Sequence, residues 1–331
     1  MEATGHYWLP LYAHLRQAGQ TVHVINPLQS DALRNLFIRQ TKNDTQDALI
    51  VAEVICFGRY CETQVAPENI VALRELCRQR FFVVDMASDF KRKIIALLDQ
   101  TFPEYEKLFS DTFGKSSMEL LANYTTPEEM LSVNSQTLAD LLSKASRGRF
   151  GLDKANQIQQ TAKNSFGIVL ASSSFALIIR QYLEQLKSLE SSIAVFDEEI
   201  ARIIDNFDTK LETITGVGTT LAAVIFSEIG GDIKKFSSVP KLVAYAGLYP
   251  KSRQSGESKT DGRMSKRGSP YLRRAVWLAA FKDPAVSLFY QKKRSEGKDH
   301  LTAIGHVCHK ILAKIFAVLR DNKPYVPASL S

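Results

Sequence analysis

Nine apolar residues, Ile179, Tyr182, Leu186, Leu189, Ile193, Phe196, Ile200, Ile203 and Phe207, recur at alternating spacings of three and four. That is the seam of a helix about four heptads long. An apolar stripe of this length must be covered along its whole extent. Three partners could cover it: the core of a single chain, a second copy, or another long helix of the same sequence. The stretch "APENIVALRELCRQRFFVVDMASDFKRKIIALLDQ" reads as such a helix, starting at a proline beside Glu68 and running to about residue 100. The seam therefore predicts a homo-oligomer, dimer or tetramer, or pairing with the 67–100 helix.

Around these two helices the texture changes. Residues 6–60 alternate: "YWLPLYAHLRQAG" reads as a helix ending at a glycine, "TVHVINP" as a strand ending at a proline, and "SDALRNLFIRQ" as a helix again. "TTPEEM" combines Thr126 as N-cap, Pro127 in the first turn and Glu129 in the capping-box position. After Phe207, "LETITGVGTTLAAVIFSEIGG" places Gly216 and Gly218 in a turn ahead of a helix from about Thr219. It reads either as a plain tight turn or as a helix-hairpin-helix element, whose glycines let backbone N–H groups approach a phosphate. The expected fold is mixed α/β and predominantly α. Its parts are 1–65 with α/β texture, a helical middle over 66–207, and a helical C-terminal part over 208–331.

The 331 residues are 45% hydrophobic and 23% charged, an ordinary globular composition spread over two or three domains. No apolar run reaches the ~18 residues needed to span a bilayer, and no basic-then-apolar leader opens the chain. A cytoplasmic protein without a membrane partner is expected. Cys56, Cys61, Cys77 and Cys308 are scattered with no C-x-x-C pair, which suggests neither a disulfide framework nor a zinc ribbon. His306, Cys308 and His309 in "HVCHK" are too close in sequence for zinc-ligand spacing and predict a packed helix.

The net charge of +7 is concentrated. Between residues 251 and 274, Lys251, Arg253, Lys259, Arg263, Lys266, Arg267, Arg273 and Arg274 face only Glu257 and Asp261, a local excess of +6. Such a run favours nucleic acid, because neutralising phosphates releases condensed counterions. Ser255 and Gly256 lie inside it. A serine hydroxyl flanked by cations can attack phosphorus, whereas an ordinary loop serine would do nothing there. Asp44 and Asp47, three apart in "TKNDTQDALIVAE", share one face of an expected helix. They could hold a divalent metal, or Asp44 could be an N-cap with Asp47 in the first turn. Glu2 has no meaning from local sequence.

Taken together, "EATGHYWLPL", "TKNDTQDALIVAE", "LRELCRQR", "LLDQTFPEY", "YTTPEEM", "ITGVGTTLAAVIFSEIG", "LVAYAGLYP", "QSGESKTDGRMSKRGSPYLRRAVWLAA" and "VCHKILAKIFAVLRDNKPY" resemble, in order and over nearly the whole chain, the insertion sequence 110 transposases of the 116/110/902 group. The resemblance implies a RuvC-like (ribonuclease H-like) N-terminal domain with a DEDD metal site, a coiled-coil middle, and a C-terminal transposase domain with a catalytic serine. Carried over by motif, Glu2, Asp44 and Asp47 would bind Mg2+ and Ser255 would be the nucleophile. A structured noncoding RNA from the element would bridge the DNA partners.

The resemblance also implies a strand bearing a first Asp ahead of the glutamate. The sequence opens at Met1-Glu2, so the expectation is either a start codon placed internally or a 5′-truncated copy, with the chain as written weak or inactive in recombination while keeping affinity for DNA or RNA. Two further readings accompany the transposase: a nucleic-acid-binding protein without catalysis, and a ribonuclease H-like nuclease.

Overall fold

The computed structural model describes residues 1–35, 43–58, 60, 62–63, 65–255, 258–280 and 284–326, with the backbone alone for 251–255, 258–263 and 284–285. The chain is predominantly helical and divides into two compact units, Met1–Pro67 and Glu68–Ser331.

The first unit carries α1 (Trp8–Gln17), α2 (Pro27–Arg34) and α3 (Asp44–Cys56). Asn26 caps α2 by accepting from Leu28 N at 2.9 Å, with Pro27 as the first helical residue. Three chain segments meet at Ile25, which is fully buried: Glu2 bridges it in parallel and Glu62 antiparallel. The expected ribonuclease H-like sheet goes no further among the described residues. Each segment contributes a single bridge, and beyond Ile25 the chain enters α2 through Asn26 rather than extending a ladder.

The second unit is organised by α4 (Glu68–Thr101). After it come α5 (Lys115–Asn123), α6 (Pro127–Ser132), α7 (Ser135–Ser146), α8 (Leu152–Lys163) and α9 (Ser172–Ile204). The apolar seam of α9 is covered within the chain. Ile179, Leu183 and Leu186 are buried in one cluster with Ala87, Ile94 and Leu98 of α4. Arg80 grips Asp197, Lys91 meets Glu190, and the rings of Phe90 and Tyr182 lie 5.3 Å apart. These pairs run in opposite directions along the two helices, so the pairing is antiparallel. The small helices α5–α8 close the far end of the same cluster around Phe102, Tyr105, Leu120, Met130, Leu138 and Ile158. Thr126 and Glu129 form the expected capping box on α6, and Glu129 also receives Arg180 of α9 at 2.6 Å.

The C-terminal part of this unit surrounds α10 (Thr219–Ile229), whose last eight residues are all buried. It continues through α11 (Val239–Tyr245), the antiparallel strands β1 (Pro250–Ser255) and β2 (Ser258–Met264), α12 (Pro270–Ala280), α13 (Pro284–Ser295) and α14 (His300–Asp321). The two strands depart from the helical reading of the C-terminal part. By length and composition α14 could cross a membrane, yet it is largely buried, with Ala303, Ile304, Val307, Ile311, Leu312 and Ile315 in the core. The "HVCHK" segment is a packed helix, as its spacing predicts: Cys308 is fully buried, and burial pushes its thiol up to about 12.

Candidate nucleic-acid interface

Ser255 is the last residue of β1 and pairs with Ser258, the first of β2, so it stands at the tip of the hairpin. Arg253 pairs with Thr260 and Gln254 with Lys259, and a register shift between Pro250 and Ser252 marks a bulge in β1. The sequence did carry a signal for this. Two residues, the first a glycine, separate two extended polar runs, which is the spacing of a two-residue hairpin loop. Low apolar content masked it, since neither strand shows the alternation that marks a half-buried strand.

The base of the hairpin is tightly built. Ser265 N donates to Tyr249 O (2.8 Å), Lys266 N to Gly247 O (3.1 Å) and Ser269 N to Tyr245 O (3.0 Å). The chain entering β1 and the chain leaving β2 thus lie side by side. Gly268, at φ +145°, passes so close that an added Cβ would sit 2.1 Å from Tyr245 O. His309 Nε2 on α14 donates to Leu248 O at 2.5 Å and fixes the entering leg from below.

Beneath this base lies a buried ion pair. Glu228, at the end of α10 and 2% exposed, accepts from Arg78 Nε (2.7 Å) and Nη2 (3.2 Å) and from Ser269 Oγ (2.6 Å). Tyr245 Oη donates to the Glu228 carbonyl at 2.9 Å, and Arg74 donates twice to Ser227 O. A carboxylate at a helix C-terminus opposes the helix dipole, and the two arginines of α4 supply the compensating charge.

The ten residues expected to meet nucleic acid occupy four settings. Gly216, at φ +89°, and Gly218, the N-cap of α10, form the turn before that helix. Lys251, Arg253, Lys259 and Arg263 belong to the hairpin strands, and their side chains lie outside the described residues. Lys266 and Arg267 are exposed at the hairpin base. Arg273 and Arg274 are engaged within the fold. Arg273 Nη1 donates to Ala246 O at 2.9 Å, while Arg274 pairs with Asp85 at 2.6 Å and lies 4.3 Å from the Phe81 ring centre. Arg274 holds the Asp85 carboxyl below the usual carboxylate range.

The three carboxylates lie in the first unit. Asn43, not Asp44, caps α3 by accepting from Gln46 N at 2.8 Å, which leaves Asp44 exposed at the first helical position. Asp47 Oδ1 accepts from Arg34 Nη2 at 2.7 Å. Glu2 accepts from Ser30 Oγ at 2.9 Å and from the Thr4 hydroxyl. Among the described residues no three His, Cys, Asp or Glu side chains gather as a metal would require. A guanidinium on Asp47 stands where a cation would compete for the same oxygen, so this arrangement does not fit a metal cradle.

A DEDD transposase model of the IS110 type matches residues 1–103, and the "Transposase IS116/IS110/IS902 family" model matches residues 208–291. The chain belongs to the IS110 family of transposases. It is 27% identical to the 42 kDa protein of insertion element IS900 of Mycobacterium paratuberculosis, over 96% of this chain and 82% of the relative. It is 24% identical to the 43.6 kDa protein of insertion element IS110 of Streptomyces coelicolor, over 94% and 78%. A pilin gene-inverting protein of Moraxella lacunata is 23% identical over 98% and 80%. As a member of the IS110 family, the chain has DNA as its partner. The second match covers the hairpin, its base and α10, the part of the molecule where the cations cluster.

Proposed function

We propose that this IS110-family protein is a DNA recombinase whose nucleophile is Ser255. The observation that carries the reading is the place of Ser255 at the tip of a hairpin whose strands and base hold Lys251, Arg253, Lys259, Arg263, Lys266 and Arg267. Ser255 Oγ attacks a backbone phosphorus, forming a serine ester as one bridging P–O bond breaks. The hydroxyl proton is lost and the departing sugar oxygen gains one. The surrounding cations offset charge on the phosphorus oxygens. The ester keeps the bond energy needed to reseal a strand, which suits exchange better than hydrolysis. A relative named for inverting a pilin gene supports exchange of strands as the outcome.

Mg2+ at Glu2, Asp44 and Asp47 is the cofactor the DEDD name implies, but the oxygens of two of them are engaged by side chains of the first unit. That engagement also disfavours a ribonuclease H-like nuclease. A structured RNA partner rests on the family resemblance and on the same cations, since phosphates of RNA and DNA are neutralised alike. Homo-oligomer formation rests on the resemblance as well, because α4 covers the seam that suggested it.

The test is to incubate the protein with a supercoiled plasmid carrying the gene's own flanking DNA, together with RNA transcribed from it. A denaturing gel then reads covalent protein–DNA adduct. Ser255→Ala should remove the adduct and leave DNA affinity in place. An adduct that survives Ser255→Ala would eliminate this nucleophile, and binding without any adduct would favour the non-catalytic reading.

A further inference from the structure

We infer that Glu228 is a positioning residue for the serine hairpin, holding both of its legs on a single anchor. The inference rests on Ser255 being the nucleophile for its catalytic consequence, and on geometry alone for its mechanical one. The entering leg is tied through Tyr245 Oη to the Glu228 carbonyl, and the returning leg through Ser269 Oγ to the Glu228 carboxylate. Ser269 Oγ also accepts from Leu272 N at 3.0 Å, so the same hydroxyl starts α12. The legs are crosslinked by three backbone hydrogen bonds between 245–249 and 265–269.

The anchor itself is clamped by α4. Arg78 makes a two-point pair with the Glu228 carboxylate, and Arg74 makes two bonds to the neighbouring Ser227 carbonyl. Arg78 also lies 4.8 Å from the Tyr271 ring centre and Arg274 4.3 Å from that of Phe81, so the start of α12 is gripped from the same side.

Stability alone does not account for a glutamate here. It is buried, it sits at the unfavourable end of α10, and replacing such a buried pair by apolar residues is often neutral or stabilising. What the carboxylate supplies that an apolar residue could not is an acceptor with fixed direction for Ser269, set by two guanidinium bonds. A two-stranded hairpin is marginal by itself. The bonds from Tyr245 and Ser269 to Glu228, together with the three backbone bonds between the legs, therefore fix the base on which the strands stand.

The experiment uses the full chain with Tyr245→Phe, Ser269→Ala and the conservative Ser269→Thr. Each variant leaves the Arg78–Glu228 pair intact, and thermal unfolding verifies that each folds. Two readouts are taken: amide hydrogen exchange at Ser265 and Lys266, and the single-turnover rate of Ser255 adduct at saturating plasmid DNA. Tyr245→Phe and Ser269→Ala are expected to speed exchange at both amides and to slow adduct formation by about tenfold with DNA affinity unchanged, as misplacement of a reacting group does. Ser269→Thr should restore both. Unaltered exchange overturns the inference, whatever the adduct rate. A wild-type adduct formed equally fast by the two variants also overturns it, while leaving the nucleophile assignment standing. Absence of a Ser255 adduct in the wild type removes the assignment and the positioning role together.

Discussion

Arg78 and Glu228, 150 residues apart in sequence, meet in a two-point pair at 2.7 and 3.2 Å, with the carboxylate 2% exposed. The pair joins the first long helix of the second unit to the last turn of α10. Removing the arginine leaves a buried carboxylate with Ser269 as its one side-chain donor among the described residues. Arg78→Ala should therefore destabilise the fold by about 2–4 kcal/mol, the lower side reflecting the half-exposed guanidinium. Urea unfolding measures it, and a loss under about 0.5 kcal/mol would show that water replaces the arginine.

Gly268 crosses Tyr245 at a distance that admits no side chain. Gly268→Ala combines a left-handed φ with a clash against backbone, so it should cost more than about 2 kcal/mol. Gly297→Ala is the control: its φ is also positive, but nothing lies within 4 Å of the added carbon. The difference between the two, read by thermal unfolding, isolates the clash from the strain.

The cations of the 251–274 segment should separate into two groups. Lys266→Glu and Arg267→Glu alter exposed side chains, and each should weaken DNA binding and lower the log–log salt slope by roughly one. Arg274→Ala breaks the Asp85 pair and the stacking on Phe81, so it should reduce stability with little effect on that slope. Salt titrations of binding, paired with unfolding curves, distinguish the groups. An equal slope change for Arg274 would place it on the DNA.

The α4–α9 seam predicts a sharp contrast between faces. Leu186→Ala, at a fully buried position, should cost about 2–5 kcal/mol, whereas Val195→Ala, 62% exposed, should stay within about 0.5 kcal/mol. Equal effects in denaturant unfolding would mean that another chain covers the outer face.

Burial raises the thiols of Cys77 and Cys308 from 9.0 to about 12. Above pH 9 the unfolded chain releases these protons while the folded chain keeps them, so stability falls as pH rises from about 9 towards 12. At pH 8 both buried thiols therefore stay protonated, and the thiol form is a poor nucleophile. Alkylation at that pH, mapped by peptide mass, should modify the exposed Cys56 and spare Cys77 and Cys308 until denaturant is added. Early modification of either would show that its pocket opens.

Both long helices, the capping box of α6 and the packed "HVCHK" helix are legible in the sequence, because each follows from spacing within one segment. The hairpin was obscured. Its strands are polar throughout, and their pairing is recognised only when the two legs are seen side by side. Asn43 took the capping position expected of Asp44 because its side chain reaches Gln46 N from just outside the helix. Arg273 and Arg274 look like their basic neighbours in sequence, and the acceptors that engage them, Ala246 O and Asp85, are remote along the chain.

By itself, the sequence determined the local matters: where helices start and run, which stripe of α9 must be covered, where positive charge accumulates, and the order of motifs that marks the family. Only the tertiary structure decided which partner covers that stripe and which cations are spent inside the fold. It alone revealed that Glu228, unremarked in a run of apolar residues, joins α4, α10 and both legs of the hairpin. The physical reason is range. Periodicity and capping act over a few residues, whereas an ion pair or a backbone crossing depends on segments brought together by burial of apolar surface.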